Sequence, residues 1–224
     1  MKRCFFFTIL FLIALSVTAQ DKKIRFGVSS SFDYNFYGTV TDYPWADYQG
    51  KVNFSAGFVF KYQLNERLFF LTKALYSTKN YKLKENENSL FYVPPGSSTP
   101  VPVDPGPPMD NPNPVFRNSF VDIPLEIGWS LFNKKNFGIA GVFGFVNSFQ
   151  VAHKNESFYI DSPVEEKTYN NYLLSTKMGV GFMFKTDKIG FHIEPQARLY
   201  VTNVHPKMDE NPIHLGIEMQ ILKL

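Results

Sequence analysis

Two histidines and a glutamate late in the chain are the residues whose types most invite a chemical reading. His192 and Glu194 sit two positions apart and His214 follows on the next apolar-polar stretch. Imidazole and carboxylate together are the donors of a zinc site or of a general acid-base pair. The plainer reading is a set of hydrogen-bonded polar groups inside a fold. No serine stands in a motif that would make it a nucleophile, and no catalytic, cofactor-binding or metal-ligating residue is assigned. A wider group falls, like them, on the polar parity of its strands: Arg25, Lys51, Lys61, Lys177, Lys185 and Arg198, against Asp33, Asp122, Glu126, Glu194 and Glu218. Six positive against five negative charges predicts a cross-paired ion network.

The elements that must position these groups are strands. In Phe120 to Leu131, Val121, Ile123, Leu125, Ile127, Trp129 and Leu131 take one parity and Asp122, Pro124, Glu126, Gly128 and Ser130 the other. Period two with one face apolar throughout is a strand between two different solvents. Pro124 counts against an uninterrupted ladder, and a bulge there is the least costly accommodation. The pattern recurs over Ile24–Phe36, Lys51–Leu64, Phe137–Val151, Tyr172–Lys185, Ile189–Val201 and from Ile213 onward. Leu68–Lys79 divides its apolar residues between both parities, so its facing is open.

Connections alternate in length. Short turns fall at Asn65-Glu66-Arg67, Asn133 to Asn136 and Thr186-Asp187-Lys188, and long connections at Tyr37 to Gly50, Asn80 to Asn118, Ala152 to Asn171 and Thr202 to Pro212. Nine of the fifteen prolines lie between Pro94 and Pro114, which predicts an extended, water-exposed loop within residues 80–118. Tyr34, Phe36, Tyr37, Tyr43, Trp45 and Tyr48 read as an interfacial aromatic girdle or as a contact surface for a partner.

The first residues read as an export signal. Lys2 and Arg3 precede an apolar run from Cys4 to Leu15 and the small residues up to Ala19, after which cleavage is expected. The run is too short for a helical span, which needs roughly 20 residues. Cleavage would also remove Cys4, the single cysteine. Without Lys2 and Arg3, 21 of the 23 basic residues stand against 20 acidic ones, a balance that gives no reason to expect nucleic acid as a partner.

Together these features predict an all-β protein, an eight-stranded antiparallel up-and-down transmembrane β-barrel with short periplasmic turns and long external loops, in a bacterial outer membrane. Residues 1–19 would be the signal and residues 20–224 one barrel domain. The expected partners are outer-membrane lipid and a protein or glycan at the external loops. A soluble periplasmic fold, a β-sandwich or a lipocalin-like barrel, is the rival architecture, with the apolar faces packed inward.

Phe120 to Ile127, an aromatic and an acidic residue leading into Ile-Pro-Leu, resembles the hallmark strand of the OmpX-like and PorT-like outer-membrane β-barrel proteins of Bacteroidota-type bacteria. Phe69 to Asn80, FFLTKALYSTKN, is similar to the strand of that family ending in Leu-Tyr-Ser and a polar turn. The resemblance implies the barrel fold more than any role; the function expected here is non-catalytic, structural or partner-binding at the cell surface. On its PorT-like side the resemblance implies a component of a protein secretion apparatus. A small barrel enzyme acting on lipid is the alternative from another class.

Overall fold

The computed structural model describes residues 23–37, 46–85, 91–92, 101–102, 115–155, 169–204 and 211–224. Twelve strands occur among them: β1 Ile24–Phe36, β2 Ala46–Gly50, β3 Val52–Gln63, β4 Leu68–Thr78, β5 Tyr81–Glu85, β6 Phe91–Tyr92, β7 Val101–Pro102, β8 Val115–Asn133, β9 Phe137–Asn155, β10 Tyr172–Lys185, β11 Ile189–Tyr200 and β12 Ile213–Lys223. Eight of these close a ring in which every neighbouring pair is antiparallel: β1, β3, β4, β8, β9, β10, β11, β12 and back to β1. One row of partners runs from Arg25 through Lys61, Leu71, Glu126, Gly144, Lys177, Arg198 and His214 and returns to β1 at Asn35, ten residues further on. With ordinary strand rise and spacing, that stagger tilts the strands by roughly 40°.

The side-chain faces decide between the two architectures. Phe58, Ile127 and Leu131 on the outer surface are 67%, 57% and 68% exposed, whereas Glu126, between two outward residues, is fully buried. Apolar exposure of this kind recurs on all eight ring strands, far beyond the few hundred Å² of contiguous apolar surface that soluble monomers show. The apolar parity faces outward and the polar parity inward, the inverse of a soluble sandwich.

Several expectations are corrected in detail. β4, whose facing was open, turns Phe69, Leu71, Lys73, Leu75 and Ser77 inward and leaves Tyr76 outside. Pro124 causes no bulge. The β4–β8 register is the same on both sides of it, and only the pairings of Ile123 and Pro124 drop out. Pro195 does the same between β10 and β11, where the pairings of Glu194 and Pro195 drop out. A missing proline donor costs one rung, and the flanking rungs hold the alignment. The irregularities of β8 lie instead at Ser119/Phe120 and Ser130/Phe132, against β9.

The long connections are also shorter than the sequence indicated. β2 occupies the end of the first, β5 and the start of β8 trim residues 80–118, and β9 runs on to Asn155. Phe91–Tyr92 pairs with Val101–Pro102 inside the proline-rich segment; the rest of that segment, and residues 1–22, lie outside the described residues. At roughly 2.5 Å of height per tilted residue, about ten residues cross a hydrocarbon band of roughly 25 Å. β8 and β9 have 19 residues each, an extension of about nine beyond what such a crossing needs. β5 pairs with β2 and with the first residues of β8, so this extension is itself a small sheet.

Candidate functional site

The inward faces stack in layers. Nearest the short turns, Val59, Phe69, Leu71, Ala140, Val142, Met183 and Leu222 form an apolar floor. Phe69 fits because Gly128 lies opposite; a Cβ there would overlap its ring. Lys61 is buried against this floor, its Nζ 3.5 Å from the Phe69 ring centre and 3.7 Å from Met183 Sδ.

Above the floor lies the charged layer. Lys177 Nζ is 2.9 Å from Glu126 Oε1, 2.9 Å from Glu194 Oε1 and 2.6 Å from Glu218 Oε2. Lys73 Nζ meets Glu126 Oε2 at 2.8 Å and Glu218 Oε1 at 2.6 Å. Ser29 Oγ and Gln220 Nε2 each donate to Glu218 Oε1 at 2.8 Å. Small residues make the space. A Cβ on Gly144 would crowd Glu126, one on Gly179 would crowd Glu194, and one on Gly181 would overlap the His192 ring. A second group sits higher: Asp122 accepts from Lys79 Nζ at 2.9 Å and from Arg198 Nη1 at 3.0 Å, while Asp33 accepts from Gln196 Nε2 at 2.9 Å and Ser31 Oγ at 3.0 Å.

An aromatic plug closes the outer end. Tyr48, Tyr81, Phe116, Phe120, Tyr169, Leu173, Tyr200 and Val204 pack together with Tyr37 against them. Tyr81 stacks on Phe116 with ring centres 4.9 Å apart, and Phe120 meets Tyr169 edge-on at 5.8 Å. Lys79 Nζ lies 4.8 Å from the Phe120 ring centre, so the plug rests directly on the charged layer. The hydroxyls of Tyr37 and Tyr169 share a hydrogen bond of 2.6 Å, and Asn35 Nδ2 donates to Tyr37 at 3.4 Å.

Burial pushes the phenols of Tyr37 and Tyr169 above their ordinary value of 10.0. An acid held neutral by folding stabilises fully below its unfolded value, so this pair's contribution persists up to about pH 10 and fades as pH rises beyond it. Tyr169→Phe should therefore lower stability by about 1 kcal/mol at neutral pH. Tyr37→Phe with Tyr169→Phe should flatten the alkaline loss, read from denaturant midpoints between pH 7 and about pH 11.

The histidines and glutamate that invited a chemical reading separate in space. His192 lies opposite Gln220 and His214 opposite Arg198, six positions apart along the β11–β12 ladder. At strand rise that is roughly 20 Å, too far for a shared ligand. His192 Nε2 stands 3.8 Å from Glu194 Oε2, beyond hydrogen-bond range. His214 packs edge-on against Tyr200, ring centres 4.9 Å apart. Among the described residues no group of three histidine, cysteine, aspartate or glutamate side chains is placed to hold a metal.

Of the anticipated network, Lys177, Arg198, Asp122, Glu126, Glu194 and Glu218 do cross-pair. Arg25, Lys51 and Lys185 stay half-buried near the strand ends and join no ion pair among the described residues. Lys73 and Lys79 join the network unannounced. Of the supposed girdle, Tyr34 and Phe36 face out, Tyr37 and Tyr48 turn into the plug, and Tyr43 and Trp45 lie outside the described residues.

A ring of eight strands with this facing is what the family comparison matches as well: residues 18–203 fit the model of the outer membrane protein β-barrel domain, well over half the chain. The chain belongs to that family. Its members are outer-membrane proteins, and the exposed apolar belt is the surface such a barrel turns to lipid. No curated protein sequence matches the chain.

Among solved structures, Ail, the attachment invasion locus protein of Yersinia pestis, in complex with the heparin analogue sucrose octasulfate, is 10% identical with a TM-score of 0.41, covering 90% of this chain and 97% of its own. OprG from Pseudomonas aeruginosa is 8% identical with a TM-score of 0.48, covering 89% of this chain and 93% of its own.

Proposed function

We propose that this barrel is a non-catalytic outer-membrane protein that presents its outer strand extension and loops to a protein or glycan partner. The observation that carries the reading is the filled interior. Among the described residues an apolar floor, a layer of paired charges and an aromatic plug succeed one another, the side-chain filling expected of an eight-stranded barrel rather than the open lumen of a channel. The surplus structure is all at the outer end, where β2, β5 and the ends of β8 and β9 rise beyond the membrane. Strands longer than the bilayer requires serve to hold something above it. The proline-rich segment within 86–114 suits the role, because a chain stiffened by proline loses little entropy on binding.

We also hold that Met1 to Ala19 is a cleaved export signal, and that residues 20–224 form one barrel domain. Deleting Ser97 to Asn113 tests the function. The barrel should keep its heat-modifiable migration on gels and lose proteins or glycans that co-purify with the full-length form. Retention of every partner by the deletion would sink the reading. Co-purifying secretion components, if lost with the deletion, would select the secretion-apparatus form of this function. Turnover of labelled phospholipid by the purified barrel would replace it with an enzymatic one.

A further inference from the structure

The inner rim carries a charge imbalance that the chain as a whole does not. Lys23, Arg67, Lys134, Lys135, Lys188 and Lys223 are all exposed there, against the exposed acids Glu66 and Asp187. None of the six forms an ion pair among the described residues, although the sequence excluding its first three residues is nearly balanced. They are spread around the ring: at the start of β1, in the β3–β4, β8–β9 and β10–β11 turns, and at the end of β12. A single protein partner would call for a patch on one side. Only something that surrounds the barrel meets all five places.

Their depth points the same way. Each lies within three residues of an outward apolar or aromatic side chain of the lipid belt. Leu64 precedes Arg67, Phe132 precedes Lys134, Ile189 follows Lys188 and Ile221 precedes Lys223, all four apolar residues at least 41% exposed. Lys134 Nζ even reaches back to 5.5 Å from the Phe132 ring centre. A cation one to three residues beyond the last lipid-facing side chain stands at the level of headgroup phosphates. Long basic side chains there keep their stems on hydrocarbon and their charges in the polar zone.

We infer that this basic ring is a binding surface for anionic phospholipid headgroups of the inner leaflet, holding a shell of acidic lipid around the periplasmic end. Each basic side chain at an anionic surface raises the local occupancy of anionic lipid about fivefold.

The experiment uses the mature barrel in mixed micelles containing equal phosphatidylglycerol and phosphatidylcholine, with retained lipid counted by native mass spectrometry. The wild type should retain phosphatidylglycerol over phosphatidylcholine by about fivefold or more. R67Q with K134Q, K135Q and K188Q, which leave Lys23 and Lys223 in place, should lower that ratio severalfold while keeping heat-modifiable migration, because all four side chains lie in exposed turns or at their edges. K51Q with K154Q, at the outer end, should leave the ratio unchanged. Equal retention of the two lipids by the wild type, or an unchanged ratio in the inner-rim variant, would overturn the inference. Capture of soluble polyglutamate by the wild type without lipid preference would assign the face to an acidic soluble partner and overturn it equally.

Discussion

Lys177→Met should lower the unfolding free energy of the barrel by about 3–5 kcal/mol, read as an earlier urea midpoint of protein folded in micelles or vesicles. Methionine fills much the same volume, so the loss comes from charge and not from a cavity. Lys177 touches Glu126, Glu194 and Glu218; without it Lys73 alone is left to Glu126 and Glu218, and Glu194 keeps no lysine among the described residues. The intact network stabilises little beyond an apolar filling, since desolvation offsets most of the Coulomb attraction. Its removal by half is what is costly. Adding Glu218→Gln to Lys177→Met takes away one of the two carboxylates that both lysines share and should recover more than half of the loss. A single variant that costs less than about 1 kcal/mol would mean the layer is screened like a surface ion pair.

Which features could be read from the sequence follows from how much each depended on one strand or on many. Facing was legible wherever a strand put its aromatics and aliphatics on one parity, as β1, β8 and β12 do, because hydrocarbon outside and charge inside leave only one arrangement. β4 was not, since Phe69, Leu71 and Leu75 share a parity with Lys73 and the count of apolar residues does not separate the faces. Its lysine did hold the answer: a mid-strand ammonium on the lipid face is far costlier than a leucine in the lumen. Assigning Lys73 inward would also have brought Lys79 into the network. The floor and the plug escaped notice for another reason. They are assembled from residues such as Leu71, Val142 and Met183, or Tyr37, Phe116 and Tyr169, that become neighbours only when the ring closes. The pairing of His192 with His214 failed on register, which adjacency of two strands does not specify. A polar interior predicted from alternation was right in its middle and wrong at both ends.

Ile127→Arg should destabilise the barrel in phospholipid vesicles by about 2–4 kcal/mol, and Leu131→Arg by no more than about 1 kcal/mol. Both side chains face outward on β8, with 57% and 68% of their surface exposed, so their burial within the protein does not distinguish them. Depth does. Leu131 lies next to the turn at Asn133, where a guanidinium reaches the headgroups. Ile127 is four residues deeper, roughly 10 Å further into the band at the tilt derived above. A charge there must either sit in hydrocarbon or drag water to it. Were the apolar parity bathed in water, both substitutions would fall within about 0.5 kcal/mol of neutral. Were it packed against a second protein, the cost would follow burial at that interface instead of distance from the turn. Only a hydrocarbon layer centred near the level of Ile127 yields a penalty that rises with depth from Leu131, so equal effects at the two positions would contradict the membrane reading of the entire apolar belt.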